Sequence, residues 1–204
     1  MTGQTVQFFF GIGSRYSYLA ATQLKALSRA TGAAFQWRVV FSPDLVARAG
    51  HDPFAADNKR GQYLPAYRTR DALRWAALYG IPYADPEWEK VDWWRLALAC
   101  AAAERLSAAE AFAGPLFARC FSGLSKAPNT DAELVSLAET AGCNPTSFAA
   151  YLDSAETKQH HERNMTEALS AGVFGVPSFI TSDSQLFFGQ DRLVLLRRHL
   201  ESLT

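Results

Sequence analysis

Residues 8–20 of the chain read FFFGIGSRYSYLA, an aromatic run followed by two glycines and a serine-containing stretch. The aromatic run predicts a buried strand, the glycines a tight turn, and Ser14 the start of a helix. A helix start presents free backbone N–H groups and the positive end of the helix dipole, so it favours an anion. Because Ser14 and Ser17 form an S-x-x-S pattern without sulfur, we expect the anion to belong to a ligand, with a thiolate as a strong candidate.

The composition is that of a globular protein with balanced charge. The chain has 204 residues, 49% of them hydrophobic, and its 20 basic and 20 acidic side chains give a formal net charge of zero. This balance argues against nucleic acid and against an anionic membrane as the main partner. The sequence shows neither a basic leader nor a long apolar stretch, so we expect neither export nor membrane insertion.

The three cysteines are widely separated and form no C-x-x-C pair. They are Cys100, Cys120 and Cys143. We expect them to be reduced and buried, acting as small hydrophobic side chains. Together with the missing leader, this usage predicts a cytoplasmic protein.

A βαβ unit is predicted at the start of the chain. Residues 6–10 and 34–41 have the character of strands. The helix between them, residues 14–30, ends at the stop signal Thr31-Gly32. Strand, helix and strand in this order predict two parallel neighbouring strands in one sheet.

The middle of the chain, residues 56–171, is almost entirely helical in pattern. Within it, Ser107 with Glu110 and Thr130 with Glu133 each match a capping box at a helix start. Beyond this region the strand pattern returns as a predicted hairpin, and a last amphipathic helix follows. The predicted order is therefore βαβ, a long helical insertion, and ββα.

Three segments that are distant in sequence should meet in such a fold. One is the turn at Ser14. The second is residues 174–177, where a cis Val176-Pro177 bond would point the backbone of Val176 at a ligand. The third is residues 189–192, a strand-to-helix turn whose N–H groups suit a carboxylate.

Each of these features also has a purely structural interpretation. Ser14 is a typical helix N-cap, which does not exclude a ligand contact. Pro177 can simply begin a strand, and Gln190-Asp191 can cap the last helix. The choice between the two interpretations comes from a family resemblance.

The three segments resemble the signatures of the 2-hydroxychromene-2-carboxylate isomerase family. The matching stretches are residues 10–20, FGIGSRYSYLA, residues 172–177, GVFGVP, and residues 188–193, FGQDRL. This family belongs to the DsbA-like thioredoxin-fold proteins and is related to kappa-class glutathione transferases. The likeness runs nearly from end to end and includes residues 67–82.

The resemblance implies an α/β fold with two parts. Residues 1–55 and 172–204 would form a thioredoxin-like βαβ…ββα domain. Residues 56–171 would form a large all-helical insertion domain.

The resemblance also implies that glutathione is the cofactor. Ser14 matches the serine that hydrogen-bonds the glutathione thiolate. Val176, before Pro177, matches the residue whose backbone pairs with the cysteinyl part of the tripeptide. Gln190 and Asp191 match the pair that holds the γ-glutamyl end.

Two further positions concern the insertion and a departure from the family. Asn58 matches an asparagine that reaches glutathione from the insertion. Arg15 stands where the family usually has proline. We expect its side chain to point into solvent; the alternative is a positive charge near a thiolate or a substrate carboxylate.

The implied function is a glutathione-dependent isomerase that acts on a small aromatic catabolite through reversible thiolate addition. The alternatives are a kappa-like glutathione transferase and a non-catalytic glutathione-binding protein of the same fold. A homodimer is compatible with the resemblance. A disulfide oxidoreductase is disfavoured, because Ser14 and Ser17 cannot form a disulfide.

Other patterns favour structural roles. Gly11-x-Gly13 falls short of a dinucleotide fingerprint, because Tyr16 stands where a third glycine is needed. Adjacent His160 and His161 point about 100° apart on a helix, so they predict a solvated surface and no metal site. Trp75 and the pair Trp93-Trp94 are expected in the core more than in a substrate pocket.

Overall fold

A computed structural model describes residues 4–50 and 60–203 of the chain. The strands in these ranges are β1 (Thr5–Phe10), β2 (Ala34–Val39), β3 (Ser178–Ile180) and β4 (Leu186–Phe188). The α-helices are α1 (Arg15–Thr31), α2 (Ser42–Arg48), α3 (Pro65–Tyr79), α4 (Trp93–Arg105), α5 (Ala109–Phe121), α6 (Asp131–Thr140), α7 (Pro145–Leu152), α8 (Ala155–Ser170) and α9 (Leu193–Ser202).

The four strands form one mixed sheet in the order β2-β1-β3-β4. Strands β1 and β2 are parallel, whereas the β1–β3 and β3–β4 pairs are antiparallel. The predicted βαβ unit and hairpin are confirmed. Because β1 lies inside the sheet, Phe8, Phe9 and Phe10 are fully buried.

Helix α1 has the predicted ends, whereas one predicted cap in the insertion is wrong. Ser14 is the N-cap of α1, and Gly32 ends the helix with a φ of 71°. The capping box of Thr130 with Glu133 is present at the start of α6. Ser107 makes no such cap, because its φ of 59° belongs to the tight turn that closes α4.

Helices α3 to α8 separate the two strand-containing parts of the chain, which confirms the helical insertion. The alanine-rich α4 packs against β2, α5, α7 and α8. The exact boundaries at residues 55, 56, 171 and 172 stay a prediction. Within the two described ranges, no helix combines the length and the apolar character that a membrane span requires.

Side chains of the insertion close the edge strand β2. The Val39 N–H donates to Glu104 Oε1 (2.6 Å), and the Val39 carbonyl accepts from Asn164 Nδ2 (3.1 Å). The other carboxylate oxygen of Glu104 accepts from Asn164 (2.8 Å). These bonds satisfy the backbone N–H and carbonyl of Val39, the last residue of this edge strand, and so block pairing with another chain at that residue.

The prediction of a solvated surface at His160-His161 is wrong, because α8 packs this side against α2 and α4. His160 Nε2 lies 2.9 Å from Glu104 Oε2. His161 is buried with its ring 5.0 Å from that of Trp94. Burial lowers the pKa of His161 to about 4. The three cysteines are buried and free of disulfides, as predicted.

Candidate active site

Ser14 lies directly after β1, at the N-terminus of the 17-residue helix α1. Its Oγ accepts a hydrogen bond from the Ser17 N–H (3.2 Å), so the capping role is present. The side chain is half-buried, and no acceptor for its hydroxyl proton lies among residues 4–50 and 60–203. The first turn of α1 contains no acidic residue. The Ser14 hydroxyl can therefore cap the helix and still donate to an anion.

Ser17 has a different role from Ser14. It is fully buried, and its Oγ accepts from the Gly11 N–H (3.3 Å). The second serine of the S-x-x-S pattern thus closes the turn from inside. Of these two serines, Ser14 is the partly exposed one.

The two glycines of the turn allow close packing. A Cβ on Gly11 would lie 1.9 Å from Ser42 Oγ and 3.2 Å from Val176 Cγ2. A Cβ on Gly13 would lie 3.1 Å from the Trp93 ring. A side chain at Gly11 would force Ser42 to shift, and one at Gly13 would press on the Trp93 ring. This close packing explains the glycines at positions 11 and 13 without a dinucleotide-binding role.

The Val176-Pro177 peptide bond is cis, as predicted. Pro177 immediately precedes β3, which pairs antiparallel with β1, so Val176 lies beside Gly11. The Pro177 carbonyl accepts from the Gly189 N–H (2.9 Å). These contacts connect the three predicted segments in one place.

The turn that contains Gln190 and Asp191 is a 3₁₀ turn, Gln190–Arg192, without a side-chain cap. Gln190 is buried, and its Oε1 accepts from the Tyr79 hydroxyl (2.7 Å). Asp191 is exposed and pairs with Arg192 Nη1 (2.5 Å). Burial and the nearby Asp191 raise the pKa of Tyr79 to about 12, so its hydroxyl stays a donor.

A groove of about 340 Å³ adjoins this turn, between α1, α3 and α9. Its polar end is formed by Tyr79, Gln190 and Asp191. Tyr79 was not predicted as a site residue, although it lies within residues 67–82, where the family resemblance extends. Asn58 lies outside the described residues, so its predicted role stays a prediction.

The expectation that Arg15 points into solvent is wrong. Its side chain is buried, donates to Thr69 Oγ1 (3.2 Å) and pairs with Asp85 Oδ2 (3.3 Å). The guanidinium lies 5.0 Å from the centroid of the Trp88 ring. The physical reason is that α3 and the segment after it cover the start of α1 and supply polar partners.

The chain matches known proteins in sequence and in architecture. The DSBA-like thioredoxin domain family matches residues 5–201. A 2-hydroxychromene-2-carboxylate isomerase of Sphingobium xenophagum is 30% identical over 97% of this chain and 98% of its own length. The chain belongs to this family of DsbA-like proteins.

Further members of the isomerase family agree with this assignment. A 2-hydroxychromene-2-carboxylate isomerase of Pseudomonas putida is 26% identical over 94% of this chain and 91% of its own length. A solved structure of a 2-hydroxychromene-2-carboxylate isomerase has a TM-score of 0.78 and 25% identity, covering 98% of this chain and 95% of that one. These similarities support an enzyme with isomerase function.

Proposed function

We propose that the protein is a glutathione-dependent isomerase of the 2-hydroxychromene-2-carboxylate type that acts on a small aromatic catabolite. The observation that carries the proposal is the free hydroxyl proton of Ser14 at an uncompensated helix N-terminus. Both features lower the free energy of a thiolate relative to a thiol. A cytoplasmic location would suit this function, since the cytoplasm keeps glutathione reduced.

The residues at the site fit the tripeptide along its length. Ser14 suits the sulfur, and the partly exposed Val176 suits the peptide backbone of the cysteinyl part. The exposed carboxylate of Asp191 suits the amino group of the γ-glutamyl end. The N–H groups of Gln190 and Asp191 at the start of the 3₁₀ turn suit its carboxylate, whereas that of Arg192 already donates to the Gly189 carbonyl.

When bound there, glutathione would supply a thiolate that adds to an unsaturated carbon and leaves after rotation about the bond that has become single. Ser14 would assist both the addition of the thiolate and its later elimination. A hydrogen bond that stabilises the free thiolate as nucleophile also stabilises it as leaving group. Because Gly11 has no side chain, Val176 would lie close to the Ser14 turn. The rigid backbone at both places would then hold the sulfur and the substrate.

Two matched variants test the role of Ser14. Ser14→Ala removes both the cap and the donor, whereas Ser14→Asp keeps a good cap but sets a negative charge against the sulfur. We expect both variants to lose the ultraviolet difference absorbance of bound thiolate. Only Ser14→Ala should also lose about 0.5–2 kcal/mol of unfolding free energy.

The wild-type protein supplies the decisive controls. Glutathione should bind and raise its melting temperature. The proposal fails if glutathione neither binds nor stabilises. A hydroxychromene carboxylate and a chloro-nitroarene then separate the isomerase from a transferase, and binding without turnover of either would indicate a binding protein. Light scattering tests the homodimer that we also propose.

A further inference from the structure

Four residues around the start of α1 contact one another in sequence. Arg15 contacts Trp88, Trp88 contacts Trp93, and Trp93 contacts Gly13. The Arg15 guanidinium lies 5.0 Å from the Trp88 ring centroid, and the Trp88 and Trp93 rings are 5.4 Å apart. The indole N–H of Trp93 donates to the Trp88 carbonyl (3.1 Å). Trp93 packs against Gly13, at 3.1 Å from the position of a Cβ. Ser14 is the residue between the two ends of this series.

The two indoles of this series present a partly exposed aromatic surface. Trp88 and Trp93 are both half-buried. Both pack on the fully buried ring of Phe121, which lies 5.7 Å from Trp88 and 6.0 Å from Trp93. Phe121 therefore covers one side of both indoles, and Trp93 also packs on Gly13, the residue before Ser14.

The guanidinium of Arg15 is fixed by its partners. Asp85 pairs with it at 3.3 Å and also accepts from Thr69 Oγ1 (2.6 Å) and from the Tyr83 hydroxyl. Thr69 accepts in turn from Arg15 Nη1 (3.2 Å). Because the Arg15 side chain is only 8% exposed, little water competes for these bonds. The arginine therefore has one defined orientation, against the Trp88 ring.

We propose that Arg15 is a positioning residue for the aromatic substrate. Its guanidinium holds Trp88, and Trp88 holds Trp93 against Gly13, so that the two indoles form the wall on which the substrate ring packs. This inference rests on the proposed function. A substrate carbon must reach a sulfur held by Ser14, so the substrate ring has to lie beside this turn, where the indoles are. A proline, usual in the family at this position, has neither the reach nor the charge to hold Trp88.

The test uses Arg15→Met, which keeps the length of the side chain but removes its charge and hydrogen bonds. We expect the KM for a hydroxychromene carboxylate to rise about tenfold, since a partly desolvated cation–π contact is lost. The glutathione Kd should stay within about twofold, because the ligand contacts proposed for glutathione do not include Arg15. Arg15→Lys should recover part of the KM. A change in the near-ultraviolet circular dichroism of the stacked indoles should accompany the rise in KM.

Arg95→Met is the matched control. Arg95 also pairs with two carboxylates, Asp131 at 2.6 Å and Asp153, and among the residues that the structure describes its side-chain partners do not include Trp88 or Trp93. We expect this variant to lose stability without a change in KM. A general loss of stability is thereby separated from a loss of positioning.

Trp88→Leu keeps the inference testable if Arg15→Met folds poorly. It leaves the Arg15–Asp85 pair in place and should raise the KM by a similar factor. An unchanged KM in a folded variant of either kind would overturn the positioning role while leaving the glutathione site intact. Failure of the wild-type protein to bind glutathione would instead overturn the proposed function itself.

Discussion

The two ends of the candidate site are held in different ways. At the Ser14 end, Gly11 fits between Ser42 and Val176, and the buried Ser17 closes the turn from inside. The main chain of the sheet and tight packing fix this end. At the other end, the side chain of Gln190 is held by the hydroxyl of Tyr79.

The two ends therefore differ in how they use the insertion: it packs on the Ser14 turn, whereas it supplies a hydrogen bond to Gln190. Tyr79 ends helix α3, so the orientation of Gln190 depends on the helical insertion. The turn of the thiol end is formed by strands β1 and β3 and the start of α1, and the insertion packs on it from outside through Trp93 on Gly13. We therefore expect damage at the Ser14 end to cost more folding stability than damage at the Gln190 end, with glutathione affinity lowered in both cases.

The largest effect is expected for Gly11→Ala at the Ser14 end. The new Cβ would overlap with Ser42 Oγ and press on Val176. We expect the unfolding free energy to fall by about 1–3 kcal/mol, as for other overpacked sites. Glutathione affinity should fall at least about tenfold in isothermal titration, because the same atoms border the site.

The double variant Gly11→Ala with Ser42→Ala is the control for this overlap. It removes the nearest atom and should recover part of the stability. Wild-type stability and affinity in Gly11→Ala alone would mean that the close approach does not fix the thiol end.

The stability of the fold should also depend on pH through His161, which lies outside both ends of the site. The pKa of His161 is lowered to about 4 by burial, whereas an unfolded histidine titrates near its ordinary value of 6.5. The unfolded state then binds more protons between these values, so stability should fall as pH drops from about 6.5 to about 4. The expected loss is on the order of 2–3 kcal/mol.

His161→Phe should flatten this pH dependence in denaturant titrations, because the phenyl ring carries no titratable group. The pH dependence of glutathione binding is then best measured in the His161→Phe variant, where the titration of His161 no longer contributes. A wild-type slope that persists in His161→Phe would assign the acid sensitivity to other groups.

Tyr79→Phe tests the end that depends on the insertion. It leaves the buried Oε1 of Gln190 without its donor, which should cost about 1–2 kcal/mol of stability. Because the Gln190 amide loses its orientation, glutathione affinity should fall about tenfold. Tyr18→Phe is the control: it loses the hydrogen bond to the Pro82 carbonyl and should lose stability without loss of affinity.

The smallest effect is expected for Asp191→Asn. Its exposed pair with Arg192 contributes little to folding, so stability should change by less than about 0.5 kcal/mol. Glutathione affinity should fall about fivefold with the loss of a charge-assisted hydrogen bond. A fall in stability without a fall in affinity would remove Asp191 from the site.

The order of strands and helices could be predicted from the sequence because each step has a local cause. The aromatic run 8–10 and the signals at Ser14 and Gly32 act within a few residues of the backbone that they shape. The capping box of Thr130 with Glu133 was correct for the same reason. At Ser107 the local pattern competed with the closing turn of α4, and the turn prevailed.

Side chains whose surroundings come from distant segments were the ones predicted wrongly. Arg15 and His161 are polar residues, so by themselves they indicate a surface position. Arg15 is buried because Thr69 and Asp85 come from the insertion to meet it. His161 is buried because α8 packs beside Trp94.

The sequence by itself determined the strand, turn and helix at Ser14, the cis proline, and the family to which they belong. These features depend on short-range geometry or on motifs preserved in order along the chain. Only the tertiary structure decided that Ser14 stays partly exposed while Ser17 is buried and accepts from the Gly11 N–H, that Tyr79 holds Gln190, and that Arg15 faces Trp88. The physical reason is that burial and hydrogen bonding of a side chain are set by its neighbours in space, which no local pattern specifies.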